Sequence, residues 1–191
     1  MAASDARLAA RVVAFAVDAV LLTAGLFTVA AAFAAILGPA VTVRPAGAGE
    51  GPSLLVHPNR VLLAGVVDVA LGAAYFVGSW GVGARERPQG TPGQRLLGIR
   101  VGRAATGDRL SLGQASARWV VLMGPLSLGA VVPAGMPMLR GPVTLAMLAW
   151  FFVLFLTTAC SRTKRGLHDR WAASAVILRP PSAAAPASPP P

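Results

Sequence analysis

The sequence predicts an all-α protein, a polytopic membrane helical bundle of four transmembrane helices with a short cytoplasmic interfacial region. Three observations lead there. Hydrophobic residues make up 55% of the 191-residue chain and charged residues only 13%, whereas a soluble domain is about a quarter charged. The mean hydropathy is correspondingly high, at +0.64. Four apolar segments approach or exceed the ~20 residues a helix needs to cross hydrocarbon, and the basic residues are shared very unequally between alternate loops.

The first span is expected over residues 12–37. Arg7 and Arg11 ahead of this run imitate a secretory signal, with Ala32-Phe33-Ala34 resembling a cleavage site. The run is far longer than the roughly 7–15-residue core of a signal peptide and contains Asp18, so retention as a membrane anchor is expected. A second span covers 61–82. The third, 119–139, is interrupted by Pro125, Pro133 and Pro137, which predicts a kink rather than a break, since neighbouring helices can satisfy the freed carbonyls. Gly141-Pro142 reads as a tight turn into the fourth span, 142–160. Residues 7–178 thus form one domain. The tail, 179–191, is built almost wholly of Pro, Ala and Ser and has too little apolar surface to fold.

Charge bias orients these spans. Fourteen of the seventeen basic residues fall before span one, between spans two and three, or after span four. Only Arg44, Arg60 and Arg140 fall on the other side. The positive-inside rule then places both termini in the cytoplasm. The outer loop, Gly38–Arg60, is rich in Gly and Pro and reads as irregular. A net charge of +10 would suit nucleic acid in a soluble protein. Between apolar spans it points instead to a lipid bilayer with anionic headgroups, with no nucleic-acid partner.

Two aspartates lie within the spans. A carboxylate in hydrocarbon costs several kcal/mol (about 3 or more) unless it is paired, protonated or wetted, and it therefore faces the bundle interior. Asp18 shares a helix face with Arg11, two turns or about 10 Å away. Gly65, Asp68, Gly72, Tyr75 and Ser79 share a face of the second span. The two carboxyls are staggered in depth, which disfavours a direct dyad. One reading has Asp18 locking helix packing through Arg11, Arg118 or an indole N–H; the other is an ion or proton path through Asp18, Thr23, Asp68 and Tyr75. Cys160 is the only cysteine, and His57 and His168 are isolated, so neither a metal nor another cofactor is expected. Neighbours on a helix point about 100° apart, so His168-Asp169 is no ready-made catalytic relay. No enzyme activity is expected.

The cytoplasmic loop, 83–118, opens with the turn cluster Gly90-Thr91-Pro92-Gly93. Ile99-Arg100-Val101 alternates like a strand, Gly107-Asp108 reads as a turn, and Arg109-Leu110 would be its return. Ser111 followed by Gln114 is a capping box that starts a helix near Leu112. Gly90–Gly98 lacks the Gly-Lys-Ser/Thr ending of a nucleotide-binding loop. Arg95, Arg100, Arg118, His168 and Arg170 are expected to meet lipid headgroups or the inner face.

The landmarks Arg11…Asp18, Gly90-Thr91-Pro92-Gly93-Gln94-Arg95-Leu96-Leu97-Gly98-Ile99-Arg100-Val101, Gly107…Leu110-Ser111…Arg118 and Gly166-Leu167-His168-Asp169-Arg170-Trp171-Ala172 occur in order. In this the chain resembles the RDD family of integral membrane proteins, named for an arginine and two aspartates. The resemblance spans residues 7–178 and implies that Arg11, Asp18 and Asp169 are the name-giving charges. Gln94 stands where the family often has lysine, and Asp68 is outside the signature. What the resemblance implies is a bacterial plasma (inner) membrane protein. Its role would be either an accessory or assembly subunit of a membrane complex or a proton-coupled monovalent cation transporter. Its partners would be further copies of itself or another membrane protein. In the subunit reading Arg11, Asp18, Arg118 and Asp169 form one inner-face charge cluster, with 90–101 and 174–178 docked beneath it as short paired strands.

Overall fold

The computed structural model describes residues 8–45, 51–82, 89–135 and 137–178. The proposed tail, 179–191, lies outside them. The first apolar run forms helix α1, Leu8–Leu37. It is hydrophobic around its whole circumference, as a helix in lipid can be. Its only buried residues are Ala14 and Asp18, one turn apart. Full burial on α1 is thus confined to this end, and Gly25 and Thr28 farther along are exposed.

After α1 the chain is not irregular. Strands β1, Val41–Arg44, and β2, Ser53–Val56, pair antiparallel, with Val41 opposite Val56 and Arg44 opposite Ser53. The β-branched run Val41-Thr42-Val43 favours extended backbone, and the surrounding glycines and prolines conceal it in composition. The His57 N–H donates to the Ala40 carbonyl at 2.9 Å, and Arg60 to the Pro39 carbonyl at 3.0 Å, closing the base of this ribbon. Helix α2, Pro58–Gly81, then starts on Pro58, whose missing N–H has no partner to lose at that position.

Helix α3, Pro92–Leu96, is a single short turn capped by Thr91. Gly98, at φ 64°, ends it in the left-handed conformation that glycine adopts without strain and feeds strand β3, Ile99–Arg103. The return strand expected at Arg109-Leu110 does not form. Leu110 is buried in the core, and the partner of β3 is β4, Ser174–Leu178, antiparallel from Ile99–Leu178 to Arg103–Ser174. With two ribbons present, the fold is mostly helical rather than all-α.

Helix α4, Leu112–Gly135, begins at the expected capping box: the Gln114 N–H donates to Ser111 Oγ at 3.2 Å and the Ser111 N–H to Gln114 Oε1 at 3.0 Å. It continues through Pro125 and Pro133. The chain reverses at a 3₁₀ turn, Pro137–Leu139, and helix α5 runs from Arg140 to Ala159. Gly141-Pro142 thus lies in the first turn of α5 rather than forming the reversal, because a proline there breaks no helical hydrogen bond. Helix α6, Leu167–Trp171, leads into β4.

Three helices among the described residues are long and apolar enough to cross a membrane: α1, α2 and residues 141–159 of α5. Helix α4 matches α2 in length but is not one of the three. α2 packs on α4, α4 on α5, and α1 on α2 and α3. The core gathers at the end carrying β3–β4, around Phe76, Trp80, Ile99, Val101 and Leu110. Away from it large apolar side chains such as Val20, Phe27 and Leu145 stand exposed, as lipid-facing residues do.

Candidate functional site

Asp18 is 2% exposed, and the donors that hold it among the described residues are neutral. Tyr75 from α2 donates its hydroxyl to Oδ1 at 2.8 Å, and the Gly93 N–H reaches the same oxygen at 2.8 Å. The Thr91 hydroxyl donates to Oδ2. The Gly93 N–H belongs to the first turn of α3, where backbone donors have no carbonyl within the helix. A side chain at Gly93 would collide with the Ala14 carbonyl and bring its Cβ to 3.0 Å from the Asp18 carboxyl. The Gly-Thr-Pro-Gly turn is thus the piece that docks onto α1, with Asp18 as its receptor.

Asp169 is fully buried, in a different setting. Arg11 approaches Oδ2 at 3.2 Å and Arg118 pairs with Oδ1. Arg118 also donates to the Ser174 hydroxyl at 2.6 Å, while Arg11 donates to the carbonyls of Lys164 and Val176. One carboxylate therefore ties α1, α4, α6 and β4 together. Burial pushes the Asp169 carboxyl up, and Arg118, His168 and Arg11 more than offset it, so it sits below the usual carboxylate range. His168 Nε2 lies 3.6 Å from Asp169 Oδ1, too long for a hydrogen bond. Burial first, then the Arg118 charge, lowers the imidazole to about 4, leaving it neutral at neutral pH.

Uncharged groups join the two centres. Gln94 Oε1 accepts from the Thr91 N–H at 3.0 Å and from the Trp80 indole at 3.2 Å. The Trp80 ring in turn lies 4.9 Å from the Arg118 guanidinium, within cation–π range. Thr91, Gly93, Gln94, Trp80 and Ser174 are participants that the sequence reading did not assign to the site. Thr91-x-x-Gln94 carries the same capping-box pattern as Ser111-x-x-Gln114, so that signal was available.

The expected four-member charge cluster is corrected. Arg11, Arg118 and Asp169 come together, but the described bonds to Asp18 come from Tyr75, Thr91 and Gly93. Two helical turns, about 10 Å, separate Arg11 from Asp18, and Arg11 reaches toward β4 and α6 instead. An indole N–H was the other expected partner; that of Trp80 donates to Gln94 instead. Of the polar path, Asp18 and Tyr75 meet. Thr23 is exposed, and Asp68, half-buried two turns beyond Tyr75, has no hydrogen-bond or ion-pair partner among the described residues. Arg95 and Arg170 are exposed and Arg100 is half-buried, whereas the side chains of Arg118 and His168 lie largely buried beside Asp169.

A family model described as RDD family matches residues 6–173, most of the chain. No curated protein and no solved structure matches it.

Proposed function

The chain belongs to the RDD family of membrane proteins, and from that premise we propose that it is a non-enzymatic accessory or assembly subunit of a membrane complex. In this reading four helices, α4 included, cross the bacterial plasma membrane and both termini are cytoplasmic. The observation that carries the proposal is the saturation of the signature charges. Asp18 already accepts three hydrogen bonds, and Asp169 is shared by two guanidinium groups. A carrier needs a carboxylate that can exchange its ligand, whereas these two act as clamps that hold the β3–β4 ribbon and α3 against the helices. The apolar outer part of α1, exposed at Val20, Phe27 and Ile36, supplies a face for a second copy or another membrane protein. Exposed Arg95 and Arg170 supply contacts for anionic headgroups.

Affinity purification of the full chain in mild detergent tests this. A stoichiometric partner or a defined homo-oligomer is expected, with recovery reduced in Asp18→Asn. A monomer that brings down nothing reproducibly overturns the subunit reading.

One observation favours a second reading, a proton-coupled monovalent cation transporter. Asp68 is a carboxylate within a membrane-spanning helix without a partner among the described residues, as an ion-exchanging group would be between cycles. Cation-driven proton flux in reconstituted vesicles, measured with a pH-reporting dye and abolished in Asp68→Asn, would favour the carrier. Its absence in well-folded protein removes that reading.

A further inference from the structure

Between α1 and α5, at the end where the two charge centres lie, is a cleft of about 360 Å³. Its walls are apolar, built from Val12, Phe15, Phe76, Leu122, Leu154 and Phe155. Its floor is polar and includes Arg118 and His168. Val12, Phe15 and Phe155 are among the exposed large hydrophobics, so the mouth opens sideways between the two helices. In a membrane that opening faces acyl chains rather than water.

Two atoms on the floor are unusual. Arg118 Nε and His168 Nδ1 are buried and have no hydrogen-bond partner among the described residues. The Arg118 side chain is 3% exposed and that of His168 12%. A buried polar atom left unpaired typically costs about 1–3 kcal/mol, and both atoms belong to residues lining the same cleft. Charge adds direction. Arg118 is a permanent cation, so its unpaired Nε–H suits a phosphate oxygen on a headgroup that carries no cation of its own. The Asp18 carboxylate, which also lines the cleft, already has donors on both oxygens. The volume lies at the small end of the ligand-pocket range of roughly 300–1,000 Å³, enough for one acyl chain but not for a whole diacyl lipid.

We propose that this cleft is a lateral binding site for one membrane phospholipid with an anionic headgroup. One acyl chain enters between α1 and α5, and the phosphate accepts hydrogen bonds from Arg118 and His168. The site goes beyond the subunit reading and would serve an assembly subunit or a carrier alike.

The test titrates the full chain in mild detergent with phosphatidylglycerol, or with phosphatidylcholine of identical acyl chains, and counts retained lipid by native mass spectrometry. One phosphatidylglycerol should persist under activation that strips the surrounding belt, with a preference over phosphatidylcholine of about tenfold or more, equivalent to at least ~1.4 kcal/mol. Val12→Trp adds bulk at the exposed mouth without touching the core and should lower that occupancy about tenfold. Val20→Trp, exposed on α1 outside the cleft, should leave it unchanged. His168→Phe keeps the ring volume and should erase the headgroup preference while a chain is still bound. Equal retention of the two lipids, or retention indifferent to Val12→Trp, overturns the proposal. So does thermal stabilisation by glycerol phosphate alone that equals stabilisation by the lipid.

Discussion

Asp18 and Asp169 are both buried aspartates, yet they meet opposite electrostatic problems. Asp18 is a carboxylate answered by neutral donors, and Asp18→Asn turns one acceptor into a donor facing other donors. That should cost about 1–3 kcal/mol. Asp169 answers two guanidinium groups, and Asp169→Asn removes the carboxylate they share, at about 3–5 kcal/mol. Thermal unfolding in detergent should rank Asp169→Asn as the worse of the two. Gly93→Ala should lose about 1–3 kcal/mol by overpacking, because its new methyl meets the Ala14 carbonyl; the same unfolding measurement checks it. Acid sensitivity has a defined sign. Unfolded, His168 binds a proton near its ordinary 6.5; folded, it does so only near about 4. Between those values the unfolded state holds more protons, so stability falls as pH drops through that window. Asp169, whose value is lowered by folding, contributes stability that is intact above its ordinary 3.8 and lost only at still lower pH. Unfolding midpoints followed from about pH 7 to about pH 4.5 should therefore decline, and His168→Gln should flatten the slope.

At the level of elements, the four apolar runs and the Ser111–Gln114 cap were legible because periodicity and capping are local signals. The partner of Asp18 was not. Asp18 lies 75 residues from Gly93, and nothing in either segment says that a helix start and a glycine without a side chain will fit together. Arg11 was the nearer charge in sequence and therefore the expected partner, yet it spans a gap to β4 rather than descending its own helix. The Gln94 amide oxygen accepts from Trp80 and Thr91, which a lysine, a donor only, could not do. Thr91 serves two elements at once, capping α3 and donating to Asp18. Thr91→Ala should thus cost more than the ~1 kcal/mol of an ordinary N-cap. Hydrogen exchange should show faster opening of α3 and β3 while the far ends of α1 and α2 stay protected. The β1–β2 ribbon escaped the sequence reading for the converse reason: Val41–Arg44 and Ser53–Val56 are only four residues each, diluted by turn-forming neighbours.

For the whole molecule, two ends differ in construction. The end with β3–β4 holds the buried core, both charge centres and the two buried residues of α1, Ala14 and Asp18. The other end holds slender helices and a ribbon with exposed Val43 and Leu54. A protein of this kind should resist denaturation at one end and adapt to lipid or to neighbours at the other. Cys160 is exposed at the close of α5, near the β3–β4 end. A membrane-impermeant maleimide should therefore label it in inside-out vesicles and not in intact cells; the reverse pattern would invert the proposed orientation.

The bonds from Arg11 to Asp169 and to the Val176 carbonyl bridge 158 and 165 positions of chain. The first helix therefore leaves the ribosome and enters the insertion machinery long before its counter-charge has been synthesised. Until residues 169–176 emerge neither bond can form, so the clasp that ties the first helix to β4 is the last part of the fold to close during synthesis.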